Sequence, residues 1–346
     1  MSNQETLYPD SVSIRKLPSN FNQPDLDIFE HELKRNIPAT LLLQLQDIDI
    51  SVDGILSRGS QVLPVTFPAP YLIAPWESPR ARLNLWVKNS LLKYHTRIDQ
   101  EAYWVTDIWS KGFFHWMAEA LPRLFAVRET IGDAVLLLPG SYQKKYIPPS
   151  LVPFGIQEVR LLKENVHCKY LFVPTQTAPC GNYNEKAIGE LRDFYRNYYQ
   201  NKSGSGAGNK VYVSRKKAAT RKVGNEDECI QILEEYGFKT ICFEDYPFEQ
   251  QARIALEAQY LVANHGAGLT NIIYMKAGGS VLELRKEDDK HNNCFFALAS
   301  ALQLKYFYQL CDSDDPDEDP NTVNSANITV NCRLLRENIE QMLADR

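Results

Sequence analysis

The chain has 346 residues, 44% of them hydrophobic, and a formal net charge of −5. That length suits two domains at roughly 150 residues each, with enough apolar content for a real core. The charge argues against general nucleic-acid binding, which needs a basic footprint, and no apolar run approaches the ~20 residues that span a bilayer. The N-terminus, Met1-Ser-Asn-Gln-Glu-Thr6, lacks the basic and apolar regions of a signal peptide. Up to about residue 100 the pattern is faint: Leu41–Leu43 and Gln61–Phe67 read as short strands broken by prolines. From Phe113 to Glu129 the apolar spacing is helical, with a kink or second helix start at Pro122. Strands are expected at Ala134–Leu138, Val159–Leu162 and Tyr170–Val173, and a helix at Glu185–Tyr199. Seven cysteines without a Cys-x-x-Cys pair suit a reduced cytoplasmic protein with no structural zinc.

Asn201–Asn209, Asn-Lys-Ser-Gly-Ser-Gly-Ala-Gly-Asn, has the composition of a flexible linker. It separates an N-terminal domain, 1–200, from a C-terminal domain, 210–346. Downstream the alternation is regular. Strands are expected at Lys210–Val213, Lys239–Phe243, Tyr260–Val262, Ser280–Leu284 and Lys305–Tyr308. Helices are expected from an Asn225 cap to Tyr236, at Phe248–Ala258, at Asn292–Leu302 and at Leu334–Leu343. Such alternation predicts a parallel sheet with helices on both faces, whose ligands bind beyond the carboxyl ends of the strands. Arg215, His265 and Glu283 fall at or near those ends. The acidic run Asp312–Asp319 reads as a solvated loop.

Three segments carry chemistry. His265-Gly-Ala-Gly268, followed by Thr270 and Asn271, joins a strand to the expected first turn of a helix. Its glycines permit close approach of a ligand, and a helix start favours a diphosphate. A tight strand-to-helix turn needs glycine for structural reasons as well, so this segment alone serves either purpose. Ser214-Arg-Lys-Lys217 and Thr220-Arg-Lys222 follow a strand of the same expected sheet. Arg215 and Arg221 are therefore assigned to a phosphorylated ligand, and Lys216, Lys217 and Lys222 to solvent. In Phe113-Phe-His-Trp-Met-Ala-Glu119, His115 and Glu119 are four apart and share a helix face. An apolar setting would raise the carboxylate toward a working base, although the same spacing suits a helix pair that merely satisfies itself.

Together, Gly112–Leu124, Val213-Ser-Arg215 with Arg221 and Asn225-Glu226, His265–Asn271 and the strand with Glu283 resemble glycosyltransferase family 61, in that family's order, over roughly Asp107 to Leu310. The resemblance implies an α/β protein of GT-B type, with two Rossmann-like domains facing across a cleft, the downstream one holding a nucleotide sugar. It implies an inverting transfer to a glycan or glycolipid hydroxyl, plausible in cell-surface or capsular polysaccharide assembly, without cofactor or required metal. Mapped onto this chain, Glu119 is the candidate base, His115 its neighbour, and Asp107 a reserve carboxylate, since the family often has aspartate where Glu119 stands. Donor binding falls to Arg215, Arg221, His265, Gly266, Ala267, Gly268, Thr270, Asn271 and Glu283, the last toward a ribose or sugar hydroxyl. The expected location is cytoplasmic, with peripheral contact at the inner membrane face if the acceptor is lipid-linked. A polysaccharide pyruvyltransferase and a non-catalytic nucleotide-binding scaffold are the competing readings.

Overall fold

The computed structural model describes residues 3–90, 96–200, 204–287, 289–315 and 325–345. The chain divides into two compact units, Met1–Ser11 with Asn36–Ala187, and Val12–Arg35 with Ile188–Arg346. The Asn201–Asn209 linker lies beyond this division, and its residues 201–203 fall outside the described residues, as do 316–319 of the acidic run.

The early strands are β1 (Asn3–Tyr8), β2 (Ser11–Ile14), β3 (Lys34–Ile37), β4 (Thr40–Ile50), β5 (Leu56–Arg58) and β6 (Gln61–Val62). Then come β7 (Thr96–Tyr103), β8 (Val135–Leu138), β9 (Val159–Leu161) and β10 (Val166–Pro174). Among the described residues the first unit's sheet runs β6-β5-β4-β10-β7-β8-β9, with β1 paired to β4. Strands β10, β7, β8 and β9 are mutually parallel, and β4 is antiparallel to β10. All four residues of β8 are buried, as expected of a strand covered on both faces. Ile48, Ile98, Trp104, Leu137 and Leu171 anchor the core around it.

The second unit is built on β11 (Lys210–Val213), β12 (Lys239–Ile241), β13 (Tyr260–Asn264), β14 (Ser280–Lys286), β15 (Lys305–Ser313) and β16 (Ile328–Thr329). Their order is β12-β11-β13-β14-β15-β16. The first five are parallel and β16 is antiparallel to β15. Counted from β11, this is the doubly wound order 2-1-3-4-5. The helix Glu226–Glu235 ends at Gly237, whose φ of 81° is the left-handed conformation that a helix stop favours. Asn225 stands at its start without capping it, because its side chain is spent on the backbone of Val330, through both N–H and C=O, at 2.9 Å each. After the glycine turn, Ala267–Tyr274 is a 3₁₀ helix rather than the start of an α-helix. The last helix, Cys332–Ala344, is capped by the Asn331 side chain.

The segment Val12–Arg35 joins the second unit although it precedes the first unit's main body. Phe29, fully buried, packs edge-on against Phe296 and Tyr308 at 5.1 and 4.9 Å between ring centres. Asn20 donates to the Tyr308 carbonyl at 2.7 Å. No described helix is long and apolar enough to cross a membrane.

Candidate active site

In each unit the sheet order reverses beside one central strand, and crevices at such points are where α/β sheets bind ligands. In the first unit β8 and β9 extend from one side of β7 while β10 lies on the other. Asp107 follows β7 and Gln176 follows β10, and the two meet. One Asp107 carboxylate oxygen accepts from Trp109 N–H and Ser110 Oγ, each at 3.0 Å. The other accepts from Gln176 Nε2 at 3.3 Å and Arg123 Nη1 at 3.5 Å. Arg123 is fully buried and its Nε donates to the Pro174 carbonyl at 2.9 Å. Asp107 therefore ties together the turn after β7, the end of β10 and a buried cation.

His115 and Glu119 meet as the helical spacing predicts, with Nδ1 and Oε2 2.8 Å apart. The local geometry traces to Pro122, which offers no N–H to the carbonyl four residues earlier. Trp116–Ala120 widens into a π-helical turn before the α-helix resumes at Leu121–Ala126. The Glu119 side chain is 5% exposed and that of His115 30%. Burial raises the Glu119 carboxyl, and its bond to His115 relieves only part of that rise. Burial pulls the His115 imidazole down, but the hydrogen bond and charge of Glu119, with Asp107 adding to them, outweigh it and leave it raised. Trp109 and Phe114 flank the imidazole at 5.4 and 5.1 Å. The pair is arranged to take up and hold one proton.

In the second unit the reversal lies between β11 and β13. Val213 and Ala263 are register partners, and Arg215 and His265 each follow two residues further on, just past the ends of their strands. Arg215 Nε donates to the Arg221 carbonyl at 2.9 Å and Nη2 to the Thr220 carbonyl at 3.1 Å. The Arg221 carbonyl also accepts from Asn264 Nδ2 at 2.8 Å. Arg221 adopts φ 57°, a left-handed conformation that costs a non-glycine residue about 1 kcal/mol. Burial and then the nearby Arg221 charge lower the Arg215 guanidinium, with the Glu244 and Glu226 carboxylates acting against them. A Cβ on Gly266 would stand 2.3 Å from Arg215 Nη1, so the bare glycine is what lets the guanidinium lie over the turn.

The remaining residues of this cluster sort by depth. Ala267 is exposed, and Thr270 and Asn271 are buried behind the turn, with Asn271 Nδ2 on the Gly268 carbonyl at 3.2 Å. Gly268 serves packing: a Cβ there would press the Val213 side chain at 3.1 Å. Glu283 is fully buried; one oxygen bonds His265 Nδ1 and the other accepts from Tyr306 at 2.6 Å. The structure thus places Glu283 behind His265, as its support. Lys216 and Lys217 pair with Asp227 and Asp245 at the surface. Sequence reasoning overlooked Asn264, Arg285 and Arg123 as members of these clusters. Arg285 shares a strand face with Glu283 at a spacing of two, and Arg123 shares a helix face with Glu119 at a spacing of four, which are the signals that point to them.

Comparison with known proteins bears on both clusters. A stretch of 99 residues is 33% identical to the EGF domain-specific O-linked N-acetylglucosamine transferase of Drosophila melanogaster. The match takes in 28% of this chain and 18% of that protein, so the chain spans less than a fifth of its relative. A family described as Glycosyltransferase 61 matches residues 113–282, which hold His115, Glu119, Arg215, Arg221 and His265–Asn271, with Asp107 and Glu283 just outside. Residues 113–282, just under half of the chain, are thus similar to glycosyltransferase family 61.

Proposed function

We propose that this chain is a glycosyltransferase of GT-B type, moving a sugar from a nucleoside-diphosphate sugar to a hydroxyl of a glycan or glycolipid acceptor with inversion. The observation that carries the reading is the Arg215 guanidinium. It is fixed by two backbone carbonyls over Gly266, with Nη1 unpartnered among the described residues and Arg221 adding a second cation. That arrangement suits a diphosphate, which guanidinium groups bind through charge-assisted hydrogen bonds. The second unit supplies donor binding, and the first supplies the base. In the transfer, the acceptor O–H gives its proton to Glu119 as its oxygen bonds to the anomeric carbon. The bond from that carbon to the phosphate oxygen breaks, and the electron pair departs with the nucleoside diphosphate, whose charge Arg215 and Arg221 offset. His115 shares the proton with Glu119. The Drosophila relative's name makes N-acetylglucosamine the first sugar to test.

Calorimetric titration of UDP, GDP, CDP and dTDP into wild type and Arg215→Ala, without metal, is the primary test. One nucleotide should bind, and the variant should lose about 1.5–3 kcal/mol, the scale of a charged hydrogen bond. Glu119→Gln should bind that nucleotide as wild type does, while turnover falls about 10²–10⁴-fold. Binding of phosphoenolpyruvate in place of every nucleotide would overturn the reading in favour of pyruvyl transfer.

A further inference from the structure

Behind His265 runs a line of buried polar side chains that the transfer step leaves unused. Arg285, fully buried, places Nη1 3.5 Å from the Tyr306 hydroxyl. That hydroxyl donates to one Glu283 oxygen at 2.6 Å, and the other Glu283 oxygen bonds His265 Nδ1. Arg285 is itself held by Asn293 Oδ1 at 2.9 Å and the Asp289 carbonyl at 2.7 Å. Asn293 donates in turn to the Ile28 carbonyl at 2.6 Å, and the Phe29 ring lies 5.7 Å from the guanidinium carbon.

We infer that Tyr306 and Arg285 are positioning residues that act through Glu283 to hold His265 in one tautomer, with the ring proton on Nδ1 and Nε2 offered to a ligand hydroxyl. The direction of the line follows from the donor inventory. A guanidinium only donates, so Arg285 faces the Tyr306 oxygen and the single phenolic proton goes to Glu283. A carboxylate only accepts, so the His265 nitrogen facing it is the one that carries hydrogen. In the neutral ring Nε2 is then an acceptor, complementary to a ribose or sugar O–H rather than to a phosphate oxygen. The diphosphate falls to Arg215, and the hydroxyl of the same donor to His265. This inference rests on the nucleotide-sugar reading for the identity of the ligand, though not for the state of the ring.

The test is long-range ¹H–¹⁵N correlation on the full chain with ¹⁵N-labelled histidine, the His265 signals being assigned by their loss in His265→Gln. Wild type should show the Nδ1–H tautomer. Tyr306→Phe, which keeps the aromatic packing, should show a mixture of tautomers and bind the preferred nucleotide about 10-fold more weakly, as expected when one hydrogen bond is lost. Glu283→Gln gives a second route to the same mixture should Tyr306→Phe fold poorly. An Nε2–H tautomer in wild type, or a spectrum unchanged in both variants, would overturn the inference. A tautomer shift in the variants of a protein that binds no nucleoside diphosphate would uphold the positioning line and sink the donor reading instead.

Discussion

The guanidinium of Arg215 fills the space that a side chain at Gly266 would need. The two residues therefore act as one element, and Gly266→Ala should mimic Arg215→Ala. The added methyl displaces the end of the flexible Arg215 side chain, and at φ 157° it also strains a backbone conformation that other residues rarely adopt. Nucleotide affinity should drop by about 1.5–3 kcal/mol, and the backbone strain should lower stability as well, by about 1–3 kcal/mol. Gly268→Val is the contrast, because its neighbour is the Val213 side chain on a central strand, and its loss should appear first in Tm. Full nucleotide affinity in Gly266→Ala would separate the turn from the anion site.

The His115–Glu119 pair sets a pH dependence with a definite sign. Turnover needs Glu119 unprotonated, and burial holds its proton above the ordinary value of 4.5, so the acidic limb of the pH–rate profile should lie above 4.5. His115→Ala removes the bond that lowers Glu119 and should move the limb further up. Stability follows the opposite course, since a folded state that binds more protons loses stability as pH rises. The His115 contribution should be full below its ordinary 6.5 and vanish as pH climbs through its raised folded value. Rate profiles and Tm against pH for both proteins check this, and a limb that His115→Ala leaves in place would remove Glu119 from the role of base.

Asp107→Asn should act on the fold more than on the chemistry. The carboxylate already accepts from Trp109, Ser110, Gln176 and Arg123, and its loss strands the charge of a fully buried arginine. Removing one partner of a buried ion pair costs about 3–5 kcal/mol, and the asparagine oxygen should recover part of that. Denaturant unfolding measures the cost. A variant of wild-type stability with no turnover would transfer the role of base to Asp107.

Turnover in excess chelator should equal turnover without it. The proposed site meets the diphosphate with guanidinium groups, which supply the positive charge that a metal ion would otherwise bring. Activity lost to chelator and restored by manganese would overturn that prediction.

The second unit is largely legible because its parallel strands, with β13 and β14 buried throughout, are short runs separated by helices of clear period. The His115–Glu119 contact was legible for the related reason that helix spacing is a local property. Strand β4 was not: only Leu41–Leu43 stood out, because Gln44, Gln46, Asp47 and Asp49 break the apolar pattern along its eleven residues. The place of Val12–Arg35 had no local signal at all, since Asn20 finds its partner at Tyr308. For Glu283, which the sequence assigns to a ligand hydroxyl, the fold adds what no local pattern shows, that Tyr306 and His265 each bond one of its two oxygens.

The segment that carries Phe29 also sets an order of events during synthesis. It is translated before the main body of the first unit, yet Phe296, Tyr306 and Tyr308, against which its ring packs, are made only after that body. The first unit can complete its sheet while Val12–Arg35 waits, and the second unit closes only when β15 has been translated. A fragment begun at Ile188 would lack that plug, so expressing the second unit alone requires residues 12–35 to be supplied with it.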